Sequence, residues 1–241
     1  MTEPTQKVAL VTGAGSGVGR DTALLLADAG YAVVLVARTE SKLQEAVEYI
    51  RSEGPEYAEL LVLPTDVSDS AAVDEMVNTI LDKYGRIDAI ANCAGSAPLQ
   101  PIAQMTDEII DAALDVNLKS VLYVTRAVWP AFRKQKQGAI CNISSMASID
   151  PFTGFNVYAA AKAGVNLFTK AIADEGKRFN VTAAAIAPGA IETPMLRENF
   201  PVKAIPEDKT LDPLVVAGLA RDILTGQREI TPGETIVLPS P

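Results

Sequence analysis

Short apolar runs alternate with longer segments in which apolar residues recur at helical spacing. This rhythm persists from one end of the chain to the other. Seven runs read as strands, at residues 7–11, 32–36, 59–63, 88–91, 139–143, 181–186 and 235–238. Most are continuously apolar rather than alternating, as expected of parallel strands covered on both faces. Helical periodicity fills residues 18–29, 41–52, 69–84, 106–133, 157–179 and 213–225. The alternation predicts an α/β fold, a doubly wound parallel sheet of about seven strands. No linker, repeat or low-complexity segment divides the 241 residues, so one domain over 1–241 is expected. Residues 190–212 break the rhythm. They carry Pro194, Pro201, Pro206 and several charges without a strand pattern, and a long irregular stretch in a compact domain is expected to act as a lid over a site.

Composition narrows the chemistry. With 48% hydrophobic residues the chain can bury a sizeable core. Its net charge of -9 repels phosphate backbones, which argues against nucleic acid as a partner. Histidine is absent, which excludes Ser-His-Asp and Cys-His catalysis, and two separated cysteines offer no structural zinc site. Cys93 and Cys141 lie in apolar runs and read as buried, reduced thiols of a cytoplasmic protein. Residues 1–7 are polar and show no signal-peptide core, and no run approaches the ~20 apolar residues that a membrane span needs. Proton chemistry therefore falls to Tyr, Lys, Asp, Glu or Cys.

The first strand runs into Thr12-Gly13-Ala14-Gly15-Ser16-Gly17-Val18-Gly19, and a helix follows. Such glycines let a phosphate approach the backbone, and the helix N-terminus offers it free N–H groups. The spacing is T-G-x-x-x-G-x-G, because Val18 stands where G-x-G-x-x-G has glycine. A bare glycine turn is the bland alternative; the strand before it and the helix after it favour a dinucleotide site.

Ligands of open α/β sheets bind beyond the carboxyl ends of the strands, and six of those ends carry small, polar or turn-forming residues. After the glycine turn come Ala37 and Arg38, Asp66 and Val67, then Asn92, Ala94 and Gly95, then Ser144 and Ser145, then Pro188 and Gly189. Ala37 occupies the position where an NAD enzyme places an acid for the ribose 2′-hydroxyl. Arg38 follows it and suits a 2′-phosphate, so NADP is the expected cofactor.

Tyr158 and Lys162 stand four residues apart and share one helix face. An ammonium beside a phenol stabilises the phenolate and makes the tyrosine a usable acid/base. Ser145 precedes Tyr158 by thirteen residues, at the end of the fifth strand.

Taken together, Thr12–Gly19, Asn92-Cys93-Ala94-Gly95, Asn117, Ser145, Tyr158-x-x-x-Lys162 and Pro188-Gly189-Ala190-Ile191-Glu192-Thr193 resemble the classical short-chain dehydrogenase/reductases in order and spacing, from about residue 7 to 195. The resemblance implies a Rossmann-type oxidoreductase that transfers hydride between NADP(H) and a carbonyl or secondary alcohol. It implies an Asn117, Ser145, Tyr158, Lys162 tetrad. Tyr158 would exchange a proton with the substrate oxygen and Ser145 would hydrogen-bond that oxygen. Lys162 would bind the nicotinamide ribose and depress the Tyr158 pKa, and Asn117 would hold a water. Gly13, Ser16, Gly17, Val18 and Gly19 would cradle the pyrophosphate. Asp66 and Val67 would lie at the adenine, and Asn92, Ala94 and Gly95 near a ribose. Pro188, Gly189, Ile191 and Thr193 would hold the nicotinamide end. The resemblance also implies a homodimer or homotetramer built on the helices over 106–133 and 157–179.

Two departures stand out: Cys93 replaces the second Asn of the usual N-N-A-G, and the C-terminal tail is short, like that of members acting on hydroxy acids or related small alcohols. A non-catalytic NADP-binding sensor or scaffold on the same fold is the alternative reading. An epimerase or dehydratase would need a C-terminal substrate domain for which the chain has no room.

Overall fold

Residues 6–241 are described by the computed structural model. Residues 1–5, part of the polar segment read as lacking a signal-peptide core, lie outside them.

The continuous apolar runs form the strands; the inner ones are buried on both faces, while the two edge strands are only partly covered. β1 (Val8–Thr12) pairs in parallel with β2 (Ala32–Ala37), which pairs with β3 (Leu60–Pro64). On the other side of β1 lie β4 (Ala89–Asn92), β5 (Gly138–Ile143), β6 (Val181–Pro188) and β7 (Thr235–Leu238). The sheet thus has seven strands in the order β3-β2-β1-β4-β5-β6-β7. It is the doubly wound, Rossmann-like single domain expected. The chain winds outward from β1 and then crosses back to β4, so a crevice opens between the ends of these two strands, which pair Thr12 with Asn92.

Strand limits differ from the apolar runs by a residue or so, because pairing rather than hydropathy sets them. Ala37, Asn92 and Pro188, expected just beyond their strands, are the last residues of theirs. Cys93, read as part of an apolar strand, lies one residue past β4.

Helices cover both faces. α1 (Gly17–Asp28), α2 (Glu40–Glu53) and α8 (Pro213–Thr225) pack Leu24, Leu26, Leu43, Ile50 and Ile223 onto one side. α3 (Ser70–Tyr84), α5 (Ser120–Gln135) and α6 (Asn156–Gly176) pack Ile80, Val124, Phe132 and Ile172 onto the other. Asp69 caps α3 through the Ala71 and Ala72 amides, and Gly85 ends it in the left-handed region.

The single helix expected over 106–133 is instead α4 (Asp107–Leu114), a π turn over Asp115–Lys119, and α5. Here a side chain enters the helical ladder: the Asn117 Nδ2 donates to the Ala113 carbonyl at 2.9 Å and to the Ser96 carbonyl at 2.8 Å. A wide turn of this kind is a common way for a helix to re-aim one residue. The helix expected to reach 179 ends at Gly176 and continues as a 3₁₀ turn, Lys177–Phe179, stopped by Asn180 at φ 55.

Residues 190–212 are more ordered than their pattern suggested. They contain α7 (Pro194–Asn199), a 3₁₀ turn (Glu207–Lys209) and a parallel bridge between Ile191 and Leu211.

Candidate active site

The crevice at the β1 and β4 ends is a cleft whose floor only glycine permits. Gly13 has φ 68, and a Cβ there would lie 2.8 Å from the Ala94 nitrogen; a Cβ on Gly19 would come within 2.2 Å of the Gly13 oxygen. The Thr12 hydroxyl accepts from the Cys93 and Ala94 amides, each at 3.2 Å, and ties the two strand ends together. Ser16 starts α1 without a side-chain cap, so the first amides of a 12-residue helix remain available at the cleft.

Most predicted residues meet here. Gly13, Ser16, Gly17, Val18 and Gly19 form one wall, and Ala94 and Gly95 form the base. Asn117, Tyr158 and Lys162 face them, while Ile191 and Thr193 close one end. Val67 is buried beneath the end of β3, beside exposed Arg38 and Asp66. Burial opposes the Asp66 charge, but hydrogen bonds from Ser68 and the Arg38 charge outweigh it and hold the carboxyl below its ordinary range. Asn92 lies behind the wall, where its Nδ2 donates to the Asn142 Oδ1 at 2.8 Å. Pro188 is buried at the end of β6, and the Gly189 amide donates to the Leu238 carbonyl at 2.9 Å.

Ser144, expected at its strand end, and Pro194 of the lid also line the cleft, as do Cys93 and Ile143, to which sequence reasoning gave no role. Burial pushes the Cys93 thiol up to about 12, so the residue standing in place of the usual Asn is an uncharged, unreactive wall.

Tyr158 and Lys162 occupy successive turns of α6. The Lys162 side chain is buried, with the residue 4% exposed, and its Nζ donates to the Ile143 carbonyl at 2.8 Å. Burial lowers its pKa to about 8, with Cys93 acting weakly in the opposite direction. The Nζ lies 5.8 Å from the centroid of the Tyr158 ring. Burial raises the Tyr158 pKa, and a hydrogen bond with Ser145 pulls against it; the lowering expected from Lys162 has no part in this arrangement. Ser145 is fixed at the start of a 3₁₀ turn, where its Oγ accepts from the Ala147 amide at 3.1 Å. Asn117 accepts from the Ser96 amide through its Oδ1. A Cβ on Gly95 would meet that Oδ1 at 2.8 Å and the Lys162 Nζ at 3.6 Å, so Gly95, Asn117 and Lys162 converge on one spot.

A nicotinamide dinucleotide fits these residues. The glycine floor that any Cβ would fill, the uncapped helix start, the exposed guanidinium beyond β2 and the buried lysine are the donor set it requires.

The profile of the short chain dehydrogenase family matches residues 7–203. The chain belongs to this family. Short-chain dehydrogenases are oxidoreductases that use a nicotinamide cofactor and act on small molecules. Among relatives of this dehydrogenase, a Streptomyces virginiae protein assigned as a ketoacyl reductase of monensin polyketide synthase is 44% identical over 81% of this chain and 74% of its own. An uncharacterized oxidoreductase of Staphylococcus aureus is 31% identical over 99% of this chain and 100% of its own. Of solved structures, levodione reductase superposes with a TM-score of 0.91 at 31% identity, covering 97% of this chain and 96% of that one. An actinorhodin polyketide ketoreductase variant with NADPH superposes with a TM-score of 0.90 at 27% identity, covering 98% and 96%.

Proposed function

We propose that this dehydrogenase transfers a hydride between NADP(H) and a carbonyl or secondary alcohol, with Tyr158 as the general acid/base. The observation that carries the reading is the convergence of Tyr158, Lys162 and Asn117 on one side of the cleft, with Ser145 close enough to act on the Tyr158 phenol.

The bound nicotinamide supplies or takes up the hydride. In reduction, Tyr158 gives its proton to the substrate oxygen; in oxidation it removes that proton. Ser145 hydrogen-bonds the same oxygen and orients it. Lys162 holds the nicotinamide ribose, and its charge then favours the phenolate. Asn117, held by Ser96 and Ala113, positions a water beside Lys162.

The glycine turn and the α1 amides take the pyrophosphate, and Asp66 and Val67 flank the adenine. Asn92 stiffens the wall behind Ala94 and Gly95, and Pro188, Gly189, Ile191 and Thr193 border the nicotinamide. Arg38, beside Ala37 in the acid position, favours NADP(H); the NADPH of the actinorhodin ketoreductase supports the same choice. Residues 190–212 act as the lid. Free thiols at Cys93 and Cys141 support a cytoplasmic setting, and a homodimer or homotetramer is proposed through the exposed face of α6. A purely cofactor-sensing role would leave the placement of a buried Lys162 one helical turn from Tyr158 at the cleft without use.

NADPH oxidation against ketones, aldehydes, ketoacyl thioesters and hydroxy acids finds an accepted substrate, and Tyr158→Phe tests the mechanism on it. General acid catalysis contributes ~10²–10⁴-fold, so kcat should fall by about that factor while cofactor affinity stays. Near wild-type turnover by Tyr158→Phe would end the tyrosine mechanism.

A further inference from the structure

We infer that Phe200, contributed by the lid, determines specificity together with Phe155, and that the subsite they wall takes a neutral, apolar carbonyl compound with a planar ring rather than a carboxylate or phosphate. The inference rests on the reading of Tyr158 as the group at the substrate oxygen.

The wall is built from three separate stretches of chain. The ring of Phe155, just before α6, packs on that of Tyr158 with centroids 5.3 Å apart. Phe200, just after α7, stands edge-on to Phe155 at 5.9 Å and 82°. Phe152 meets Phe155 on another side at 6.4 Å and 75°, and remains 69% exposed at the rim. Ala97 and Leu99, from the loop after β4, join the same cluster. This apolar surface is continuous with the cofactor cleft through Tyr158, which lines it, and Met195 of the lid lines the cleft as well.

Hydrogen bonds fasten the three stretches to one another. The Asn199 Nδ2 donates to the Ala97 carbonyl at 2.8 Å, and the Gln100 amide donates to the Gly154 carbonyl at 3.0 Å. The Asn156 Nδ2 donates to the Gln100 carbonyl at 3.1 Å. Phe200 itself is held through its carbonyl, which accepts from the Arg197 Nη1 at 3.2 Å. The rings therefore form a pre-set surface, and aromatic groups favour edge-on and offset contacts of this kind with a further ring.

Charge argues in the same direction. Among the described residues lining the cleft, Lys162 alone carries a formal charge, and its Nζ is bonded to Ile143. Of the lid's cations, Arg197 spends its donors on Glu192, Phe200 and Ile205, while Lys203 and Lys209 are exposed at its surface and do not line the cleft. An anionic substrate would lose hydration against the aromatic wall, and among the residues lining the cleft it would meet only Lys162, already bonded to Ile143. A neutral ring would lose little by lying against the apolar surface that Phe152 and Phe200 present beside Tyr158.

The test is a binding measurement on the protein saturated with oxidised nicotinamide cofactor, which cannot reduce a ketone. Methyl benzoylformate, the benzoylformate anion and methyl pyruvate are titrated by calorimetry; the first two differ in charge, and the first and third differ in the ring. The neutral aryl ester should bind at least tenfold tighter than either other compound. Phe200→Ala should weaken ester binding at least fivefold, and Phe200→Leu, which keeps apolar bulk and guards against a folding defect, should weaken it by a smaller factor. Equal or tighter binding of the anion or of methyl pyruvate, an ester that fails to bind, or ester affinity unchanged in both variants would each overturn the inference. Failure of the proposed reaction reads out differently: the binding preference would stand while no carbonyl compound is turned over.

Discussion

Lys162 donates through its Nζ to the Ile143 carbonyl oxygen at 2.8 Å, holding an ammonium in a place where burial disfavours charge. Its folded pKa is lowered to about 8, below the unfolded value near 10.5. Below pH 8 both states carry the proton, and folding bears the full cost of burying the charge. Between about pH 8 and 10.5 the unfolded chain binds more protons than the folded one, so this contribution to stability rises with pH. Lys162→Met has no such term. The stability of the cofactor-free wild type relative to Lys162→Met should therefore increase from pH 8 to 10.5, by on the order of 3 kcal/mol at ~1.36 kcal/mol per pKa unit. Urea midpoints of both proteins at pH 7, 9 and 10.5 measure it, and a difference independent of pH would contradict the burial argument.

Arg38→Ala should separate the two cofactors. A charge-assisted hydrogen bond contributes roughly 1.5–3 kcal/mol, so NADPH affinity should fall about 10–100-fold. NADH, lacking the 2′-phosphate, should change little. Fluorescence titration of both cofactors measures the ratio; an equal loss would remove the basis for NADP.

The Arg197 guanidinium joins the two ends of the lid. Its Nε donates to the Glu192 Oε1 at 2.7 Å, a second bond reaches the Glu192 Oε2, and its Nη1 donates to the Ile205 carbonyl at 2.7 Å. Arg197→Ala removes all of these at once. Amides over residues 194–205 should then exchange at least tenfold faster in the ligand-free protein, and the gap should narrow with cofactor and substrate bound. Hydrogen exchange indistinguishable from wild type would show that the clamp does not hold the lid.

The outer face of α6 leaves Leu167 71% exposed, beside exposed Ala163. Light scattering at micromolar protein should give a dimer or tetramer, and Leu167→Glu should shift the mass downward by placing a charge in the contact. A monomeric wild type would exclude the assembly.

Reading the chain alone located the strand and helix order, the glycine turn and the Tyr158–Lys162 pair, because each is local. An apolar run long enough for a buried strand shows in consecutive residues, and two side chains four apart share a helix face wherever the helix sits. The same logic fails at the π turn. Helical periodicity over 106–133 scarcely registers one wider turn, and the partner that draws Asn117 inward, Ser96, lies in a different loop. Phe200 escaped notice because a phenylalanine in a proline-containing irregular segment carries no periodic signal.

The sequence by itself therefore determined the α/β winding, the family and the identities of the groups at the strand ends. Tertiary structure decided their chemical state. Whether Lys162 is an ordinary ammonium or one lowered to about 8 depends on how deeply β5 and α6 enclose it. Whether the thiol of Cys93 ionises depends on the same enclosure. Whether Phe155 and Phe200 make one wall depends on the lid folding back onto the loop after β4. Burial, and contact between residues remote in the chain, are properties of the packed molecule; no local pattern encodes them, because the same residues in an open chain would be equally hydrated and far apart.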